Sequence, residues 1–197
     1  ARDVLNERYG VRHMVTQRGC PFPCTYCAAR MYNEMYADYG RRRSHDNVSA
    51  EIKALQAGAA GDGQGLSYII FLDDTFTINH KWVRQFCEIH EANGAVPFAL
   101  HARVETVTER MLSELAAAGC KHITYGVESG SARAREEVMR RKISNQRIID
   151  VFEWTRSAGI ITTANYMLGM PYETRDDMEM TLALHHELQP HDFGYFV

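Results

Sequence analysis

Strand-like and helix-like segments alternate from end to end of this 197-residue chain. That alternation constrains the fold more than any other feature, because strand–helix–strand repetition is the pattern of a parallel α/β sheet. Strands are expected over 13–17, 68–72, 98–103, 122–127, 160–168 and 193–197, and helices over 48–57, 81–93, 108–118, 144–158 and 176–188. The run Tyr68-Ile69-Ile70-Phe71-Leu72 is continuously apolar, as a strand buried on both faces should be. Gly94, Gly119 and Gly159 each stand just past a helix as its stop. Ser49 or Asn47 is expected to cap the helix over 48–57, and a capping arrangement opens the one over 108–118. Repeats of roughly 25–35 residues fit a partial (β/α)6 TIM-like barrel or an open doubly wound sheet. The glycine-rich stretch 58–65 precedes a strand and lacks the Lys-Ser/Thr ending of a phosphate loop, so it is expected to be a flexible turn.

Composition removes several classes of function. With 45% hydrophobic residues the chain can bury a core as one domain. Its net charge of −3 supplies no general attraction to nucleic acid or an anionic membrane. The dense basic run Arg41-Arg42-Arg43 is expected to be a solvated face or an anion contact. No stretch approaches the roughly 20 apolar residues of a membrane span. An odd number of cysteines and no visible leader argue against a disulfide framework and for a reducing, cytoplasmic setting. The chain begins close to its first strand and ends inside an apolar run, so both ends are expected to continue into a longer protein.

The chemistry begins at Cys20-Pro21-Phe22-Pro23-Cys24-Thr25-Tyr26-Cys27, a CxxxCxxC loop directly after the first strand. The two prolines keep the loop out of helical geometry, as a wrapping cradle requires. Three thiolates can hold three irons of a 4Fe–4S cluster, which leaves the fourth iron open to a small molecule. A closed structural zinc site would want four ligands in two pairs, and Cys87 and Cys120 stand alone in helical, apolar contexts. A non-catalytic zinc module is the bland alternative, with His13 or His45 as a conceivable fourth ligand. The other polar signatures also follow strands: Asp73-Asp74-Thr75, Arg103-Val104-Glu105, Glu128-Ser129 and Gly169-Met170-Pro171. In a parallel fold these strand ends meet at one mouth.

The CxxxCxxC loop with Tyr26 before its last cysteine resembles the radical S-adenosylmethionine superfamily. The likeness runs on through Arg42-Arg43-Ser44, Phe71-Leu72-Asp73-Asp74-Thr75-Phe76-Thr77, Gly126-Val127-Glu128-Ser129-Gly130-Ser131 and Leu168-Gly169-Met170-Pro171-Tyr172-Glu173-Thr174. It is strongest with the cobalamin-binding branch, which includes the anaerobic magnesium-protoporphyrin cyclase and the hopanoid and phosphinate methylases. The resemblance implies a radical-type TIM-like barrel whose cluster, held by Cys20, Cys24 and Cys27, carries S-adenosylmethionine on its open iron. Reductive cleavage would give a 5′-deoxyadenosyl radical that abstracts hydrogen from an organic substrate, for methylation or ring formation. A methylthiotransferase-type radical enzyme is the alternative within the family. No side chain is expected to act as a catalytic group beyond the cluster. By the same resemblance Tyr26 lies near the adenine, Asp73, Asp74 and Thr75 receive the methionine amino group, and Glu128 and Ser129 take the ribose hydroxyls. Arg141 would pair the methionine carboxylate, with Arg140 and Arg103 as alternatives, and Gly169 and Met170 would flank the adenine. Cobalamin, where used, would come through a domain upstream of these residues. The implied partners are a small-molecule or lipid- or tetrapyrrole-like substrate and a reductant such as flavodoxin or ferredoxin, with no nucleic acid.

Three further features read as structural. His185-His186-Glu187 lacks the spacing of a metal site, the methionines suit core packing, and Cys87 and Cys120 suit buried helix thiols.

Overall fold

The computed structural model describes residues 9–36, 40–58 and 65–197. Most of the glycine-rich turn expected over 58–65 therefore lies outside the described residues. The main sheet is formed by β1 (Val11–Met14), β4 (Tyr68–Phe71), β5 (Phe98–Arg103), β6 (Cys120–Glu128), β7 (Ile161–Met167) and β8 (Asp192–Phe196). These strands pair in sequence order, β1-β4-β5-β6-β7-β8, and every pairing is parallel. Helices α2 (His45–Gln56), α3 (His80–Ala92), α4 (Glu109–Ala117), α5 (Asn145–Ser157) and α6 (Arg175–Leu188) supply the crossovers. This is the expected α/β repeat of a partial barrel.

Local chemistry explains most of the boundaries. Thr108 and Ser144 accept from the backbone N–H groups of Met111 and Arg147, and Asn79 does the same for Trp82. Thr174 and Asp177 form a reciprocal capping box at the start of α6. A cap of this kind contributes about 1 kcal/mol. The first long helix corrects the sequence expectation. It starts at His45 with Ser44 as its cap, accepting from Asn47 N–H at 3.2 Å, so neither Asn47 nor Ser49 caps it.

A helix and a two-stranded ladder depart from the expected order. Helix α1 (Ala28–Met35) follows Cys27 and buries only Ala29, leaving Met31 and Met35 exposed. Strands β2 (Gln17–Arg18) and β3 (Arg41–Arg42) form a short antiparallel pair, which turns part of the basic run into a ladder.

The core lies between one face of the sheet and the helices. Ile69, Phe71, Phe98, Leu100, Ile123, Tyr125, Ala164 and Tyr166 project into it and are essentially fully buried. The opposite face is half-exposed and holds His13, Ile70, His101, Thr124 and Asn165. The strand at 68–72 is therefore buried on one face only, and Leu72 is 48% exposed, contrary to the two-faced burial its apolar run suggests. A concave second face is what a barrel of few strands offers for a site. Cys87 and Cys120 belong to the core, where burial pushes the Cys87 thiol up to about 12 and Cys120 in the same direction. Both are small hydrophobes here.

Candidate active site

Residues 19–27 form a loop that leaves β2 and is pinned at three points. Gly19 N–H donates to Asp74 Oδ2 at 2.7 Å, Asn33 Nδ2 donates to the Cys20 carbonyl at 2.6 Å, and Thr25 Oγ1 donates to the Val138 carbonyl at 2.6 Å. Thr25 N–H also donates to the Met139 carbonyl at 3.3 Å, which ties the loop to the segment after β6. The carboxylate of Asp73 accepts from Thr16 Oγ1 at 2.6 Å and from Gln17 N–H at 2.6 Å, just ahead of the loop. Burial raises its pKa while these hydrogen bonds oppose the rise. Asp73 and Asp74 thus clamp the root of the loop. Thr75 is buried between them and the sulfur, with its hydroxyl 3.7 Å from Cys20 Sγ.

Cys20 and Cys24 are buried and Cys27 is exposed at the N-terminus of α1. Arg103, at the end of β5, donates from NH1 to Cys24 Sγ at 2.9 Å, and its guanidinium lies 4.0 Å from the centre of the Phe22 ring. A permanent cation thus sits against one of the three sulfurs, where a metal-bound thiolate carries negative charge. Arg103 Nε is buried and has no partner among the described residues. An orphaned donor of this kind, beside three cysteines, fits an anionic group missing from the site. Among the described residues no three His, Cys, Asp or Glu side chains converge on one point as a single ion would require. A cubane asks for something else, since each thiolate goes to its own iron. Three thiols on one short loop are the donor set such a cluster uses.

Behind the loop lies a buried charge network. Arg141 makes a fork with Glu105, Nε to Oε1 at 2.9 Å and NH2 to Oε2 at 2.8 Å. Its NH1 donates to the Gly126 carbonyl at 2.9 Å and lies 3.5 Å from both Glu128 Oε1 and Tyr26 OH. Burial alone would ease deprotonation of Arg141, but the hydrogen bonds and charge of Glu105 hold it firmly cationic. Glu105 also accepts from Arg103 NH2 at 2.6 Å, so one carboxylate joins the two arginines. Burial alone would raise the pKa of Glu105, but Arg141 and then Arg103 outweigh it and hold the group below the usual range. Glu128 shifts the other way, raised by burial, with Arg141 opposing. Burial and then the Glu128 charge keep the Tyr26 phenol protonated.

Glu128 has φ of +70°, a conformation that costs a non-glycine residue of order 1–3 kcal/mol. The β6–β7 register shifts at the same point. The turn folds the carboxylate back over the strand, and a Cβ at Gly126 would lie 2.3 Å from Glu128 Oε1. A side chain at position 126 would therefore push the Glu128 carboxylate out of this place. The following segment contains one wide π-type turn, Ala134–Val138, and such turns gather at functional sites. Arg135 within it is completely buried, and burial, then the charge of Arg141, lowers it to about 10. It donates to the carbonyls of Ser129 and Ile143, the latter at 3.0 Å, and so holds the turn that carries Arg141.

The remaining expected residues divide. Tyr26, Arg103, Glu128 and Arg141 come together around the cysteine loop. Ser129 is fully buried and engaged elsewhere, 3.2 Å from Thr181 Oγ1 and accepting from Ser131 N–H at 3.1 Å. The Gly169–Met170 turn follows β7, with the Gly169 and Met170 N–H groups bonded to Glu173 Oε2 at 2.6 and 3.1 Å. Arg140 is exposed and in left-handed backbone geometry. Glu105 and Arg135 were missed as site residues. Glu105 carried a signal in standing two residues past Arg103 at a strand end, whereas the burial of Arg135 is a long-range result with no local mark.

The Radical SAM superfamily model matches residues 14–185. The chain belongs to the radical SAM superfamily. It is 29% identical to an uncharacterized methyltransferase of Pyrococcus horikoshii over 170 residues, 86% of this chain and 35% of that protein. It is also 29% identical to the anaerobic magnesium-protoporphyrin IX monomethyl ester cyclase of Cereibacter sphaeroides over 196 residues, 96% of this chain and 30% of that protein. The chain spans about a third of the length of these curated relatives. The solved structure of the radical S-adenosylmethionine methyltransferase TsrM from Kitasatospora setae superposes with a TM-score of 0.83 at 16% identity, covering all of this chain and 37% of that one. The cobalamin-dependent radical enzyme OxsB superposes with a TM-score of 0.72 at 18% identity, covering 87% of this chain and 26% of that one. At such identities the structural likeness establishes the fold, that of the barrel in these radical SAM enzymes. The family couples a 4Fe–4S cluster to S-adenosylmethionine, and the chain carries the matched domain of that family. Among the described residues no helix is long and apolar enough to cross a membrane.

Proposed function

We propose that Cys20, Cys24 and Cys27 hold the cluster and that this core serves methylation or ring formation on an organic small molecule. The observation that carries this reading is Arg103 at 2.9 Å from Cys24 Sγ with its own Nε left unpartnered in a buried place. When cluster and S-adenosylmethionine are bound, the chemistry they supply is reductive cleavage of a sulfonium C–S bond and hydrogen abstraction from the substrate. The protein's part is to bind, orient and exclude water. Arg103, with a free buried donor, is the residue that receives the methionine carboxylate. Arg141 is a positioning residue, because its fork is already filled by Glu105. Asp73 and Asp74 hold the loop through its root, which leaves the methionine amino group to backbone carbonyls near Thr75. Tyr26 and Glu128 face the nucleoside, with Glu128 accepting from a ribose hydroxyl. Gly169 and Met170 line the adenine end, and Ser129 supports the turn from behind.

The methylation or cyclisation reading rests on the methyltransferase and cyclase relatives, and cobalamin would enter through a domain outside these residues. The test is anaerobic reconstitution with iron and sulfide, followed by dithionite and S-adenosylmethionine. Release of 5′-deoxyadenosine or S-adenosylhomocysteine is expected, and colourless protein that yields neither contradicts the reading. Arg103→Ala should weaken S-adenosylmethionine binding by about 1.5–3 kcal/mol, the scale of a hydrogen bond to a charged group. Equilibrium binding to the reconstituted protein measures it, and an unchanged affinity removes Arg103 from this role.

A further inference from the structure

The inner face of the sheet carries polar groups that neither the cysteine loop nor the charge network uses. His101, Thr124 and Thr163 are register partners across β5, β6 and β7, and Arg103, Gly126, Asn165 and Gly194 form the row nearer the strand ends. His101 therefore stands two residues deeper than Arg103 on the same face, about 7 Å along the strand. The His101 ring, the Thr124 hydroxyl and the Asn165 amide make no hydrogen bond among the described residues. They are not sealed in the interior either, since the fully buried orphan atoms belong to His90, Arg103, Arg135 and Glu173. Thr163 is already engaged, its hydroxyl 2.8 Å from His122 Nε2. Asn165 lies against Gly194, where a Cβ would come within 3.0 Å of its Oδ1, so a side chain there would crowd the amide. Around these groups the same face carries Ile70, Ala99 and the two glycines.

Open polar groups set between apolar and glycine positions on a concave wall are what fix the orientation of a small ligand. The charge balance narrows the kind of ligand. Burial, and then the charge of His122, holds His101 below the ordinary histidine value, and burial does the same to His122. A neutral imidazole, a hydroxyl and a primary amide can each both donate and accept. Asp192, the register partner of Thr163, extends the His101 row with a negative charge. Arg103, one row nearer the mouth, is tied to Glu105 and Cys24. A carboxylate or phosphate in this row would give up its water without gaining a cation, which is costly. We infer that His101, Thr124 and Asn165 select the substrate of this core, and that they select an uncharged hydroxyl, carbonyl or amide on an otherwise apolar small molecule. That the ligand is the substrate rests on the proposed function; the selectivity of the three groups does not.

The test uses the anaerobically reconstituted protein carrying isotope-labelled histidine, titrated with benzamide and with benzoate, two probes of one shape that differ in charge. Ligands this small reach about millimolar affinity, which nuclear magnetic resonance reads directly. Benzamide should move the His101 signals and bind about tenfold or more tightly than benzoate. Thr124→Val should weaken benzamide about fivefold, the effect of one lost hydrogen bond, and Thr124→Ser, which keeps the hydroxyl, should restore it. His101→Leu and Asn165→Leu should weaken benzamide in the same direction, and His101→Gln, which keeps a donor and an acceptor, should lose less than His101→Leu. A site that is merely loosened would lose both probes alike and would not be rescued by serine or glutamine. Benzoate bound as tightly as benzamide, or His101 signals that neither probe moves, overturns the assignment. A wild-type protein that takes up no iron yet still prefers benzamide overturns the cluster reading and with it the ligand's role as substrate, while the selectivity of the row stands.

Discussion

Arg141→Ala is expected to lower folding stability by about 3–5 kcal/mol, the cost of removing one partner from a buried ion pair. The side chain is 2% exposed and Glu105 is 17% exposed, so water does not replace what is lost. The variant leaves Glu105 with Arg103 alone, strips Glu128 of its cation and leaves the Gly126 carbonyl without its donor. An exposed pair behaves differently. Arg110 and Glu114 are a helix neighbour pair with Arg110 71% exposed, and Arg110→Ala should change stability by no more than about 0.5 kcal/mol. Lysine should not rescue position 141, because one ammonium cannot make the two-pronged contact with Glu105. Urea denaturation of the three variants measures these differences. The pH dependence carries its own sign. Glu105 is held below its ordinary pKa, so its contribution is present above the ordinary glutamate value, about 4.3, and is lost as pH falls through the lower folded value. Arg141→Ala should flatten that acid limb, and a loss under about 1 kcal/mol with an unchanged limb would mean the network is hydrated.

The second large effect is on metal content. Replacing any one of Cys20, Cys24 or Cys27 with alanine should abolish cluster assembly, while Cys87→Ala and Cys120→Ala should retain full iron. Cys27 is the cleanest case. It is exposed and makes no side-chain cap on α1, so its loss should leave the fold intact while removing a ligand. The two core cysteines are 4% and 2% exposed and lie in the packing between sheet and helices. Their alanine variants should lose some stability and no iron. Iron and sulfide assays on the five reconstituted variants check the assignment, and a cluster lost on Cys87→Ala would contradict it.

What could be read from the chain alone was what neighbouring residues decide. The strand Phe98–Arg103 and the helix stops at Gly94, Gly119 and Gly159 rest on local apolar runs and positive φ, and the structure places them as expected. Four possible caps, Ser44, Asp46, Asn47 and Ser49, crowd this stretch, and choosing Ser44 depends on where the chain arrives from β3. Helix α1 escaped notice because it is short and its apolar residues Ala28, Met31 and Met35 stand among Arg, Tyr, Asn and Glu, with only Ala29 buried. At the site, the cysteine spacing was legible because the three cysteines are close in sequence. The partners of Asp73, Arg141 and Ser129 were not, since they lie 56 residues away in Gln17, 36 in Glu105 and 52 in Thr181. Residue type told that an arginine and carboxylates would meet at the mouth. Which of them stay paired with each other, and which keep a donor for a ligand, depends on tertiary packing.

The central claim is that three thiolates from one loop leave one iron of a cluster for S-adenosylmethionine. Mössbauer spectroscopy of the protein reconstituted with iron-57, with and without S-adenosylmethionine, addresses that iron directly. One iron of the four should change its signal on addition while three stay as they were. Four irons that respond alike, or a protein that takes up zinc in place of iron, would contradict the account.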